Sequence, residues 1–194
     1  PYSALMRRQS GLSFSAELAA YFLIAKSPGR SHVCMADKDT RAQELHHRVQ
    51  QAHNAIPQAM RLKTIAHNET RKISFEHGGR LTTMSAREAA AGVGTSISSY
   101  HASEIGFWED VATVLGDLMP AMVNRRNMRQ VWDCTPVPAN APGMEAWRSM
   151  TDQAKLDADR GKAFYGFYPF WDSVLCRRVW EEDETLTTEE IRLL

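Results

Sequence analysis

Short apolar runs of strand length alternate with segments of helical period along most of this chain. That alternation constrains the fold more than any other feature. Residues 2–6 have the length of a strand, and residues 14–26 follow with Leu18, Phe22 and Ala25 spaced as one helix face. Ser27-Pro28-Gly29 stops that helix. Residues 32–36 read as a buried strand. Asp39 or Thr40 then caps a helix to about His53, with Ala42, Leu45 and Val49 on its apolar face. Residues 54–65 form an irregular connection containing Pro57. Residues 72–76 and 80–84 read as strands about the turn His77-Gly78-Gly79. Residues 86–94 end as a loop, and 96–102 are strand-like. A helix over 108–122 places Val111, Leu115, Leu118, Met119 and Met122 at helical spacing. After a basic turn at 124–127 come a strand at 128–134, a proline-rich loop at 135–142, a polar helix at 144–160 and a last strand at 163–168.

This order predicts an α/β fold, a mostly parallel sheet with helices on both faces. Ligands of such sheets bind at the carboxyl ends of the strands. The loops after Met6, Ala36, Ala102 and Cys134 are therefore where chemistry is expected.

Composition removes several classes. The 194 residues, 43% hydrophobic and 24% charged, suit one soluble domain with a sizeable core. Lys+Arg and Asp+Glu both number 23, so net charge does not draw the chain to nucleic acid, and any such contact needs a local patch. Cys34, Cys134 and Cys176 lie far apart without CxxC spacing and read as buried free thiols in a reducing compartment. The longest apolar run, residues 18–25, is too short to cross a bilayer, and no signal peptide is evident. The sequence opens on Pro1 and reads as a fragment.

Three loops carry chemistry. In the first, Arg7-Arg8-Gln9-Ser10-Gly11-Leu12-Ser13, a glycine and then a hydroxyl lead into a helix. Backbone N–H groups in such a loop can close around phosphate oxygens, and the hydroxyl can meet Mg²⁺. Leu12 stands where a lysine would reach the phosphates, and Met6 where a first glycine would be. A guanidinium from Arg7 or Arg8 can supply that charge. On these residues alone, an ordinary strand-to-helix turn stands beside the phosphate site. The second loop, His101-Ala102-Ser103-Glu104, sets a carboxylate at a strand end, where it can polarise a water for attack on a γ-phosphate. Ser103 precedes it where a metal-binding Asp is usual, and a Glu opening the next helix is the alternative. The third loop, Asp133-Cys134-Thr135, offers a hydroxyl that can sense a γ-phosphate, or simply a threonine before proline.

Together "RRQSGLS", "YHASEIGFW", "DCTPVPANAPGMEAW" and "GKAFYGFYPFWDS" resemble, in that order, the ATPase domain of the large terminase subunit, the DNA-packaging motor of tailed bacteriophages. One branch of that family sets an aliphatic residue before the Ser/Thr of its phosphate loop and has His-x-Ser-Glu running into Phe-Trp, as Gly11-Leu12-Ser13 and His101 to Trp108 do. The resemblance implies a P-loop NTPase of RecA/ASCE-like type over 1–171, truncated at its N-terminal side, with 172–194 a linker towards an absent nuclease domain. It implies ATP held by Gln9, Ser10, Gly11, Leu12 and Ser13, with Mg²⁺ on Ser13 and, more weakly, Ser103. Arg8 or Arg7 would replace the lysine, Glu104 would be the catalytic carboxylate, and Thr135 the coupling residue. Double-stranded DNA, portal protein, the small terminase subunit and a pentameric ring of this subunit would be partners, in the host bacterial cytoplasm on the procapsid and away from any membrane. The family's arginine finger falls on Val93 before Gly94, with Arg87 nearby as a substitute. A nucleotide-binding scaffold without turnover, or a helicase-like or repair ATPase on the same fold, are the rival readings.

Other candidates are weaker. His46, His47, His53 and His67 lack metal-ligand spacing and read as surface or satisfied histidines. His101 reads as structural. Arg125, Arg126 and Arg129 form a basic patch that can meet DNA phosphates or solvent. Glu181-Glu182-Asp183-Glu184 reads as a solvated charge run.

Overall fold

The computed structural model describes residues 2–6, 12–66, 71–89, 96–122, 129–135, 138, 140–160 and 164–168. In chain order the elements are β1 (Tyr2–Met6), α1 (Leu12–Ala25), β2 (Ser31–Ala36), α2 (Asp39–Ala55), β3 (Thr64–Ala66), β4 (Lys72–Phe75), β5 (Arg80–Ser85), α3 (Ala86–Ala89), β6 (Ser99–Ala102), α4 (Val111–Met122), β7 (Arg129–Cys134), α5 (Met144–Asp159) and β8 (Phe164–Tyr168), with a 3-10 turn at Ile105–Phe107.

All the described strands join one sheet, in the order β3-β4-β5-β2-β6-β7-β1-β8. From β5 to β8 in that order every pairing is parallel. Only β4 runs against the others, pairing antiparallel with both β5 and β3 at one edge. The turn between β4 and β5 carries Gly78 at φ 84°, a left-handed conformation glycine adopts without a Cβ penalty. The expected mostly parallel α/β sheet is present. Its order is the feature that builds the site, because β7 lies between β1 and β6, and the ends of these strands share one edge.

Side chains alternate between the two faces of the parallel strands. Val33, Met35, Tyr100 and Ala102 point to one face and pack with Val111, Val114, Leu118 and Met122 of α4 and Trp147 of α5. On the other face α1 and α2 cover the sheet, and Tyr21, Ile24, Ala25 and Val49 pack on Ile73, Phe75 and Leu81. His32, Cys34 and His101 share that α1 face, but they are polar and meet Glu17 of α1 rather than an apolar partner.

The buried face of α1 therefore differs from the one its apolar spacing predicts. Glu17, Ala20, Tyr21, Ile24 and Ala25 are buried, while Phe22 is 51% exposed. A charged residue occupies the inward stripe because histidines on β2 and β6 partner it, and this rotates the helix away from the apolar count. The cap of α2 also differs. Lys38 is its N-cap, with no side-chain cap hydrogen bond, and Asp39 lies inside the first turn, accepting from Gln43 Nε2. Residues 54–55 extend α2, and part of the supposed irregular connection is β3. Cys34 and Cys134 are buried free thiols as expected, whereas Cys176 lies outside the described residues. No described helix is long and apolar enough to cross a membrane.

Candidate functional site

Ser13 is the second residue of α1, so its hydroxyl sits at the helix end where unpaired N–H groups and the helix dipole favour an anion. In the register of β6 with β7, Ala102 pairs with Trp132, which sets Ser103 level with Asp133 just beyond the strand end. In the register of β7 with β1, Cys134 pairs with Leu5, so the same end borders the route from β1 to α1. The result is a convergence of oxygens. Ser13 Oγ donates to Asp133 Oδ2 at 3.0 Å, and Ser103 Oγ donates to Asp133 Oδ1 at 3.1 Å. Ser103 Oγ and Ser13 Oγ are 3.5 Å apart.

Glu104 follows at once, in a left-handed backbone conformation with φ 56°. For a residue with a Cβ this costs on the order of 1–3 kcal/mol, and surrounding contacts must hold it. They do. The Glu104 N–H donates to Asp133 Oδ1 at 3.1 Å. Its carboxylate Oε2 accepts from the Thr135 N–H at 2.8 Å and from Thr135 Oγ1 at 2.7 Å. Oε1 faces Arg41 of α2 at 3.5 Å, and the same guanidinium nitrogen meets Asp37 at 3.2 Å. On the far side of the loop, Trp108 Nε1 donates to the Ser103 carbonyl at 3.1 Å. Gly143 lies so close that a Cβ there would sit 2.3 Å from the Ile105 carbonyl oxygen. A cleft of about 770 Å³ opens on the Arg41 side of Glu104, lined among others by Asp37, Arg87, Trp108 and Glu109.

Beneath this edge, against α1, lies a buried polar cluster. His101 Nδ1 meets Glu17 Oε1 at 2.7 Å and His101 Nε2 meets Asp133 Oδ2 at 2.6 Å, with all three side chains fully buried. Glu17 also faces His32 at 3.4 Å, and His32 Nδ1 pairs with Ser99 Oγ at 2.9 Å. Burial opposes charge on Glu17, but His32 and His101 beside it outweigh that and hold its carboxyl well below the usual carboxylate range. Burial likewise opposes protonation of His101, yet the charge and hydrogen bond of Asp133, helped by Cys34 and Glu17, lift it well above the usual histidine range. One imidazolium thus serves two buried carboxylates. Glu17, Cys34 and His101 bring ligand-type atoms within 4.8 Å of one another. Both ring nitrogens of His101 are committed to carboxylates, however, and burial pushes the Cys34 thiol far above its ordinary range, so the group is a hydrogen-bonded brace rather than a set of metal ligands. On the opposite face burial pushes the Cys134 thiol up to about 12, aided by the nearby Glu104 and Asp133 charges and opposed by a hydrogen bond from Gly106.

Of the residues singled out in the sequence, Ser13, Ser103, Glu104 and Thr135 are brought together here. Glu104 is only 8% exposed, which excludes the reading of a surface Glu opening a helix. Arg7, Arg8, Gln9, Ser10 and Gly11 lie outside the described residues, as do the Leu12 side chain, Val93, Gly94, Arg125, Arg126 and residues 169–194. Arg87 is exposed and pairs with Glu109 beside the cleft. Sequence reading missed Asp133, Glu17 and Arg41. An acid buried in the run Val131-Trp132-Asp133-Cys134 was the available signal for the first of these.

No family model matches this chain, and neither does any curated protein. Solved structures do. The large terminase of bacteriophage HK97 superposes with a TM-score of 0.67 at 17% identity, over 96% of this chain and 40% of that one. The fold is that of a large terminase ATPase domain. The isolated ATPase domain of the Thermus phage P74-26 large terminase gives a TM-score of 0.60 at 16% identity, over 98% of this chain and 85% of that one. The large terminase of a thermophilic bacteriophage, in complex with ATP-gamma-S, gives 0.61 at 9% identity over 97% of this chain and 45% of that one. The mostly parallel α/β fold expected from the sequence is therefore shared with these structures, and the chain spans about two fifths of the HK97 protein's length.

Proposed function

We propose that this chain is the ATP-hydrolysing motor domain of a large terminase, driving double-stranded DNA into a procapsid. The observation that carries the reading is the meeting of Ser13, Glu104 and Thr135 at neighbouring strand ends, with Glu104 buried and hydrogen-bonded to Thr135. ATP phosphates would lie against Gln9, Ser10, Gly11, Leu12 and Ser13 and the start of α1, where backbone N–H groups and the dipole favour them. Arg8 or Arg7 would give the cation that Leu12 does not. The hydroxyl oxygens of Ser13 and Ser103 suit a hard cation such as Mg²⁺, which when bound neutralises charge on the β- and γ-phosphates. Glu104 would orient and polarise the attacking water. Thr135, on the same carboxylate oxygen, would feel loss of the γ-phosphate as a change in its partner. Arg87, exposed beside the cleft, is the candidate arginine for a neighbouring subunit's site. The portal protein, the small terminase subunit and a pentameric ring in the host bacterial cytoplasm complete this reading.

Glu104→Gln tests it. The variant should keep nucleotide binding and lose turnover by on the order of 10²–10⁴-fold, measured on the DNA-assembled protein. Turnover equal to wild type would refute the assignment. The alternative, a nucleotide-binding scaffold without hydrolysis, draws on Leu12 and the uncharged Ser103. Wild-type protein that binds ATP but shows no DNA-stimulated turnover would favour it.

A further inference from the structure

Ser103 brings a hydroxyl but no charge to the phosphate edge, and the carboxylate nearest Ser13 comes from a different strand. Asp133 accepts from four donors: Ser13 Oγ and His101 Nε2 at one oxygen, Ser103 Oγ and the Glu104 N–H at the other. A hydroxyl has one hydrogen and two lone pairs. By giving its hydrogen to Asp133, Ser13 has both lone pairs left for another partner. Asp133 is itself fully buried and its oxygens are filled, so it acts through Ser13 rather than by direct ligation.

We infer that Asp133 is a positioning residue for a divalent cation at Ser13: it takes the Ser13 hydroxyl hydrogen, turns the oxygen lone pairs towards the ion, and supplies from β7 the negative charge that Ser103 lacks. This arrangement is possible only because β7 lies between β1 and β6. Carboxylates that orient a metal's ligands in this way typically matter 10–100-fold in metal affinity. The inference rests on the nucleotide–metal reading above.

The test is Mn²⁺ binding to the ADP-bound protein, followed by electron paramagnetic resonance, with ADP binding in EDTA measured alongside. Asp133→Asn should weaken Mn²⁺ by about 10–100-fold, while metal-free ADP binding stays near wild type. Adding Ser103→Asp to that variant returns a carboxylate to the neighbouring strand end and should restore Mn²⁺ binding. Should Asp133→Asn fail to fold, Asp133→Glu takes its place. It keeps a charge opposite His101 but moves the carboxylate off Ser13, and the same loss is expected. Wild-type Mn²⁺ affinity in the folded variant overturns the inference. So does equal loss of ADP binding with and without metal, since that is a structural effect. Wild-type protein that binds no ADP at all would instead remove the nucleotide reading, and this inference with it.

Discussion

Replacing His101 with glutamine should do more damage than any other single change beneath the site. The imidazole is the shared cation of Glu17 and Asp133, at 2.7 and 2.6 Å, and all three side chains are fully buried. Removing one partner of a buried ion pair costs about 3–5 kcal/mol, because the other charge is left uncompensated. Here Asp133 loses its histidine partner and Glu17 keeps only His32, so the upper part of that range applies. For a chain of this length each kcal/mol moves the melting temperature by about 2–4 °C, so a fall of roughly 10–20 °C is expected. The pH dependence separates this from a simple packing loss. In the wild type the lifted pKa of His101 gives a contribution that is fully present below the ordinary histidine value of about 6.5 and is lost as pH rises from there through the elevated value. Glu17, held low, contributes fully above the ordinary carboxylate value of about 4.5 and loses that contribution progressively as pH falls below it. Wild-type stability measured by urea unfolding should therefore rise through His101 as pH falls from about 7.5 to about 5.5. A loss below about 1 kcal/mol in the variant, or a wild-type stability that does not rise over this window, would refute the shared-cation account.

Two further substitutions test other parts of the structure. Gly143→Ala sets a Cβ 2.3 Å from the Ile105 carbonyl and 3.0 Å from that of Trp108, so the Glu104 loop must shift. Turnover should fall along with stability, the latter by about 1–3 kcal/mol in thermal melts. On α1, Ile24→Ala should cost about 2–5 kcal/mol, whereas Phe22→Ser should stay within about 0.5 kcal/mol. The reverse order would restore the helix face that apolar spacing suggests.

Much of the fold was legible because each strand and helix carries its own period. The strands expected to finish at Met6, Ala36, Ala102 and Cys134 do end there, although β6 begins at Ser99 rather than at residue 96. That sufficed to nominate Ser13, Glu104 and Thr135. What linear order does not encode is strand order in space. Nothing in the spacing of Asp133 says that β7 separates β1 from β6, so its contacts with Ser13 and Ser103 were invisible. Glu17 was hidden for a related reason. A charged residue inside an amphipathic pattern reads as solvent-facing until partners on distant strands, here His32 and His101, make burial affordable. Arg41 meets Glu104 across a gap of 63 positions (104 − 41), set by the adjacency of β2 and β6 rather than by any local motif.

The end of β7 carries Asp133, which grips the start of α1, and Thr135, which grips Glu104. One three-residue window thus answers to two demands at once, and a substitution there alters both. Effects of changes at 133 and 135 should not add, and each will compound with changes at 13 and 104. Ser103, whose hydroxyl meets Asp133 and lies 3.5 Å from that of Ser13, belongs to the same coupled set. The tolerance of this edge to sequence drift is therefore set less by how near a residue lies to the phosphates than by how many neighbours depend on it.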